Sequence, residues 1–467
     1  SRNFVRSARH APRSRPGAWP RPPADRIPGM YATLGELRVP AKGSLVPLVA
    51  SFASRGATAF GLDEKDSDAL GIAAEEVFSH LAACAAPGRD VVLRLFDGGW
   101  RAELELRFAA ERERVDFRPF NLTFRTTPED DPLLARTALA IASRMVDRFR
   151  LQRHEREILL TLTREQRFPK ADAPPPEPRP DGPVSARAAR PHELPLAAGL
   201  AAARYPADQV PTAFGSPGKV SAMAAAGDLD AVVAADPSGR LAGALFYRPE
   251  GERLVELFGP FLFQEPAVEG AARLLVDACI SALGRAGRNG ILARNPTDAM
   301  PPNALEPLGT LDVRGADGAD RRVLSRFRQL DEDPGGVAIL HPRLEPFVRE
   351  ALRRLAFART FRLLEGPSVP LGDGTAFATE IDRTAGQAHL KPLWLGADAR
   401  ATLDGLLSAL EADGLASPTA ELDLGEPWHA GFAPALLDAG FEPRFVVPWA
   451  ATGDVLLLQK ATEPAAR

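Results

Sequence analysis

Few side chains in this sequence are spaced for chemistry, and three places stand out. Residues 263–275 read F-Q-E-P-A-V-E-G-A-A-R-L-L. Gly270 and Ala272 open an apolar-periodic helix there, flanked by Val268, Ala271 and Arg273. Small residues at such a point let the N–H groups of a helix start approach an anion closely. Glu265 and Glu269 bring negative charge to the same spot, which Arg273 offsets in part. Residues 75–85 read E-E-V-F-S-H-L-A-A-C-A, and Glu76 and His80, four apart on a helical pattern, share a face. That pair on its own reads as a surface carboxylate beside a helix-face imidazole, and only a family resemblance would make it a residual nucleotide–Mg²⁺ site. The third place, F-G-S-P-G-K-V at 214–220, looks like a phosphate loop. It has Ala213 in place of the first glycine, Val220 in place of Ser/Thr, and no strand before it. There is no G-x-S-x-G, no H-E-x-x-H and no Cys/His cluster, and the seven histidines are scattered, so no metal site is expected.

The composition bounds what these residues can serve. The chain has 467 residues, 45% hydrophobic and 25% charged, which is ordinary globular composition and length enough for two to four domains. The formal net charge of −4 gives no reason to expect nucleic acid or an anionic membrane as partner. No run of about 18 apolar residues would span a bilayer. Cys84 and Cys279 lie far apart in helical patterns, which excludes a disulfide framework and fits a reducing cytoplasm. All but six of the 57 basic residues are arginine, which reads as a GC-rich bacterial genome rather than as chemistry.

Composition also marks the joints. Residues 1–30 carry seven arginines and six prolines against one acid, Asp25, and read as a disordered tail. Residues 166–183 contain Pro174, Pro175, Pro176, Pro178 and Pro180, a stiff spacer. The expected modules are therefore 31–165, 184–330 and 337–462, an α+β multidomain chain. In the first, two helices (45–55 and 66–81) precede strands at 91–95 and 102–108 joined by Asp97-Gly98-Gly99, a hairpin signal. A helix from Leu133 to Arg150 and a strand at 158–162 complete an α/β sandwich.

The order of these elements resembles the GHKL ATPase domain of anti-sigma-factor serine kinases. In that family a helix carries a Glu that orients the attacking group and, four positions on, an Asn that holds Mg²⁺. Glu76 stands at the first position, but His80 replaces the Asn and Cys84 a usual His. No glycine occupies the next box, R-F-A-A-E-R-E-R-V-D-F at 107–117, and the lid reads L-L-A-R-T-A-L-A-I-A at 133–142. Without the glycines that admit phosphates, the resemblance implies a degenerate module that binds another protein and not ATP.

Residues 184–330 read β-α-α-β-β-β-α-β-α-β-β, with a helix at 268–286 and a short one at 304–308. This order resembles the GNAT acyltransferases. In that family the fourth strand leads into [QR]-x-x-G-x-[GA]; Gly270 and Ala272 match, and Ala267 stands where Gln or Arg belongs. The resemblance implies that Val268, Gly270, Ala271, Ala272 and Arg273 cradle the pyrophosphate of acyl-CoA, acetyl-CoA among the candidates. It implies Glu256, on the fourth strand, as the base. The family's thiolate-protonating Tyr has no counterpart in the short fourth helix. Residues 337–462 resemble the second half of the same fold, with Asp398 where phosphate would sit and Trp394, Trp428 and Trp449 as core or interface anchors. Two functions follow as expectations: a cytoplasmic regulatory or scaffolding pseudoenzyme, or an active N-acyltransferase that passes an acyl group from acyl-CoA to an amine.

Overall fold

Alternating residues at 90–109 form a hairpin of β2 (Asp90–Asp97) and β3 (Arg101–Ala109), whose Leu93, Leu95, Leu104 and Leu106 all point into the core. Asp97 closes the turn by accepting the Gly99 N–H at 2.7 Å, with Gly99 at φ 75°. The computed structural model describes residues 33–84, 90–109, 142, 145–154, 157–314, 320–368, 371, 374–382, 387–412, 414–415 and 417–461. Strands β1 (Thr33–Pro40), β4 (Arg148–His154) and β5 (Glu157–Glu165) extend the hairpin into an antiparallel sheet ordered β1-β2-β3-β5-β4. Helices α1 (Val46–Ala59) and α2 (Glu64–Cys84) cover one face through Val49, Ala53, Leu70, Val77 and Phe78.

The expectation that 148–150 end a helix is wrong. R-F-R-L-Q-R-H is a strand, because Phe149 and Leu151 alternate with arginines and the segment pairs with β5. The tail 1–30, the box residues 110–117 and the lid apart from Ala142 lie outside the described residues. Residues 166–183 carry no helix or strand, yet they are fastened to the second module. Ala171 N–H donates to Gly215 at 3.1 Å, Glu177 accepts from Leu241 N–H at 3.1 Å, and Arg179 donates to the Pro266 carbonyl at 2.8 Å.

The second module is one sheet ordered β11-β12-β10-β9-β8-β7-β6. Its strands are β6 (Ser185–Ala188), β7 (Asp230–Ala235), β8 (Leu241–Glu250), β9 (Leu254–Leu262), β10 (Gly290–Ala293), β11 (Glu306–Arg314) and β12 (Asp320–Gln329). Only β9 and β10 in this sheet run parallel. Helices α3 (Glu193–Arg204) and α4 (Pro217–Ala226) pack on one face over Phe214, Phe246 and Phe261. Helix α5 (Ala271–Arg285) packs on the other over Leu245, Val255, Leu257 and Ile291. The short helix expected at 304–308 does not form. Leu308 belongs to β11, and the carbonyls of Ala304 and Leu305 accept from Arg328 and Arg326.

In the third module β13 (Val337–Leu340), a four-residue strand too short to read from sequence, pairs in parallel with β14 (Thr360–Leu363) around α6 (Glu345–Arg354). Then come β15 (Ala376–Asp382), β16 (Gln387–Trp394), α7 (Ala399–Ala412), β17 (Thr419–Asp423), α8 (Ala433–Asp438), β18 (Phe441–Val447) and β19 (Val455–Lys460). Their order, β15-β16-β17-β19-β18 with β16 and β17 parallel, repeats β8-β9-β10-β12-β11. Leu254, Leu292 and Phe327 of the second module share one apolar core with Phe357, Phe445 and Trp449 of the third.

Candidate functional site

Strand β9 carries the second module's candidate chemistry, because it is the strand where the sheet divides. It pairs with β10 only from Leu254 to Glu256, then runs on to Leu262, while β10 stops at Ala293. Glu256 sits at the fork and is 4% exposed. The hairpin at Pro249-Glu250-Gly251 sets Arg248 directly across from it. Arg248 Nη2 lies 2.6 Å and Nε 2.9 Å from Glu256 Oε2, while Arg294 Nη1 lies 2.7 Å from Oε1. Both carboxylate oxygens are therefore engaged. A general base needs a lone pair within reach of the proton that it takes, and here guanidinium contacts already take three of the roughly four acceptor positions of the carboxylate. Glu256 stands out in the sequence and these arginines do not, although the hairpin makes Arg248 its cross-strand partner.

Beyond the fork, the free edge of β9 has its own partners. Thr297, 3% exposed, donates its N–H to Gly259 at 3.3 Å and its hydroxyl to Pro260 at 2.6 Å. Phe263 N–H bonds Ala242 on β8, so the N–H and C=O of Leu262 point the opposite way. Tyr205, just past α3, meets both: its hydroxyl accepts from Leu262 N–H at 2.7 Å and donates to the Leu262 carbonyl at 3.3 Å. Burial raises the Tyr205 hydroxyl's pKa above the usual value, which keeps it a donor. Neither Thr297 nor Tyr205 was marked by spacing in the sequence.

The start of α5 lies at Ala271, three residues later than expected, and Gly270 is its N-cap at φ 74°. That left-handed backbone is what requires glycine, since a Cβ there would meet nothing within 4 Å. Ala271 N–H is turned to the Val268 carbonyl at 3.2 Å. Ala272 and Arg273 follow in the first turn, where helix amides have no intrahelical acceptor. Val268 and Ala272 are half-buried, and Ala271 is buried. Arg273 is paired with Asp277 at 2.9 Å, and Arg204 holds Glu265 at 3.1 Å. In the third module Asp398 stands at the matching position, and its Oδ2 accepts from the Thr402 hydroxyl at 3.0 Å.

In the first module α2 places Glu76 half-buried at the surface and His80 inside, 4% exposed. One helical turn separates the two, and the burial differs, so the structure shows no joint site at Glu76 and His80 among the described residues. No group of three or more His, Cys, Asp or Glu converges as a metal site among the described residues. No described helix is long and apolar enough to cross a membrane.

Modules are joined by tryptophans. Trp100, 1% exposed, donates from Nε1 to Asp228 of the second module at 2.6 Å, and Lys219 pairs with Glu165 at 2.5 Å. Arg153 on β4 lies 4.3 Å from the Trp394 ring and 4.9 Å from that of Trp428.

Over about a third of its length the chain is similar in fold to solved acetyltransferases. A GNAT superfamily phosphinothricin acetyltransferase from Sinorhizobium meliloti, in complex with acetyl-CoA, is 19% identical; the match covers 32% of this chain and 89% of that one, at a TM-score of 0.27. A spermidine N-acetyltransferase variant from Vibrio cholerae is 14% identical over 32% of this chain and 94% of its own, at 0.25. An aminoglycoside 6'-N-acetyltransferase complexed with coenzyme A is 15% identical over 30% and 91%, at 0.23. No family model matches the chain, and no curated protein matches it.

Proposed function

We propose that this is a regulatory or scaffolding protein in which the acyltransferase-like second module serves as a binding and docking unit and not as a catalyst. One observation carries the reading: Glu256 is held by arginines on both oxygens while Thr297 and Tyr205 bridge the β9 edge beyond it. An acyl donor threading the fork would have to displace those bonds before any amine could be activated. The contacts that Trp100, Trp394 and Trp428 make between modules suit a platform.

The first module fits the same role. Two helices on an antiparallel sheet support the likeness to an anti-sigma kinase domain, and we infer that it engages another protein rather than ATP. Between α1 and the β1–β2 edge it carries an apolar groove of about 670 Å³ lined by Leu37, Leu48, Phe52 and Leu95, the kind of surface that protein partners cover.

A second reading, acyl-CoA binding with or without transfer to an amine, is favoured by the open helix start at Gly270, where nothing fills the space a Cβ would take. Thermal unfolding of the full chain with acetyl-CoA and with ATP–Mg²⁺, beside an assay of CoA thiol release with spermidine and lysine as acceptors, separates the two. The scaffold reading expects no thiol release and no shift with ATP–Mg²⁺. A ligand at 100 times its dissociation constant adds about 2.7 kcal/mol, so bound acetyl-CoA would be visible even without turnover. Turnover with any acceptor overturns the scaffold reading, and a low-micromolar ATP–Mg²⁺ affinity overturns the view of the first module.

A further inference from the structure

The first module's sheet ends at β1, which pairs only with β2 among the described strands. An end strand presents a row of backbone N–H and C=O groups to which another strand can add. The side chains on its two faces decide which strand and which register.

On the helix-covered face the cross-strand neighbours are leucines. Leu151, Leu160, Leu106, Leu93 and Leu37 form one row across β4, β5, β3, β2 and β1. The first four are buried, and Leu37, where the row stops, is half-buried. It lines the apolar groove beside α1 together with Leu48, which is 47% exposed. The row therefore ends on apolar surface that is still uncovered.

The opposite face carries Glu36 and Arg38, both exposed, on either side of Leu37. Glu36 Oε2 lies 2.9 Å from Arg94 of β2, whereas Arg38 stands across from Val92, which offers it no countercharge. Two β1 strands related by a two-fold axis must keep each face together, so the axis passes through a residue and not between two. An axis at Glu36 or Arg38 sets that charge against its own copy, which destabilises the pairing. An axis at Gly35 or Val39 overlaps less of Thr33–Pro40. An axis at Leu37 sets Glu36 against Arg38 of the second copy twice over, and leucine against leucine between them.

We propose that this chain forms a two-fold dimer in which β1 of each copy pairs antiparallel about Leu37, carrying the leucine row from one sheet into the other. Charges that turn most strands away from an edge are complementary to themselves in this one register. The inference rests on the reading of the first module as a protein-binding unit and names a second copy as its partner.

The test is sedimentation equilibrium of the full chain from about 1 to about 100 µM, a range that reads micromolar affinities. A mass twice that of the chain is expected. Arg38→Glu turns both ion pairs into like-charge pairs and should weaken the dimer about ten-fold or more, as should Glu36→Arg. An equal mixture of the two variants should dimerise again, to within about three-fold of wild type, because each supplies the charges that the other needs. Both residues are exposed, where substitutions seldom disturb a fold, and misfolded chains would not complement each other. A monomer across the whole range overturns the proposal and leaves a different protein as the first module's partner, a reading that ATP–Mg²⁺ binding judges separately. A dimer indifferent to both substitutions, or a mixture that stays monomeric, overturns it as well.

Discussion

Glu256→Gln keeps the shape of the side chain and removes the charge that Arg248 and Arg294 both face. Little water reaches the carboxyl group itself, because Glu256 is 4% exposed. Breaking a fully buried pair costs about 3–5 kcal/mol. Here the arginines are 42% and 44% exposed and can turn to water, and Arg294 keeps Glu250 at 2.7 Å. That rehydration reduces the loss, as it does for surface pairs, to about 2 kcal/mol, the scale of one charge-assisted hydrogen bond. For a module of this size it lowers the melting temperature by roughly 4–8 °C. Unfolding by circular dichroism, with hydrogen exchange at β9 amides to assign the transition, reads the effect locally. Stability unchanged within 0.5 kcal/mol, the ordinary scatter of surface substitutions, would refute the claim that Glu256 is held by both arginines. A stable variant that loses a hundred-fold or more in acetyl transfer, the scale of a general base, would make Glu256 catalytic and the scaffold reading wrong.

Gly270→Ala should destabilise the second module by about 1–2 kcal/mol, the cost of forcing a Cβ into left-handed backbone, while Gly270→Asn should cost less because Asn tolerates that region. Equal costs in denaturant titration would mean that the φ of 74° is not what selects glycine. Trp100→Ala removes a buried ring and its bond to Asp228, so about 3–5 kcal/mol should be lost. Limited proteolysis should then cut within 166–183, and resistance equal to wild type would contradict the anchoring role. His429 is buried, which drops its pKa from 6.5 to about 3. The unfolded chain takes a proton below pH 6.5 that the folded one refuses until about 3. Stability should therefore fall as pH drops through that window, by at most about 1.4 kcal/mol per unit. His429→Gln should be weaker at pH 8, losing the bond from Asp423 N–H, yet flatter in its pH slope; an unchanged slope would count against it. Glu421, whose burial is outweighed by the bond from His389, is held down to about 2 and adds a loss between pH 4.5 and 2.

Local signals carried much of the architecture. The Asp97-Gly98-Gly99 turn, the alternation at 101–109 and the apolar helix after Gly270 depend on residues close in sequence, and the sequence alone placed them to within a few residues. Where a pattern was short or ambiguous, pairing partners decided. Arg148–His154 became a strand because β5 lay ready to pair with it, and Val337–Leu340 because β14 did. The candidate site divided the same way. Glu256 and the glycine at 270 were visible from type and position, but what each group could do was not. That depended on Arg294, Thr297 and Tyr205, brought from 38, 41 and 51 positions away to the same strand edge. Hydrogen bonds and ion pairs act over about 3 Å, a distance that sequence separation says nothing about. Only the packed chain could show that the Glu256 carboxylate was already answered by two arginines.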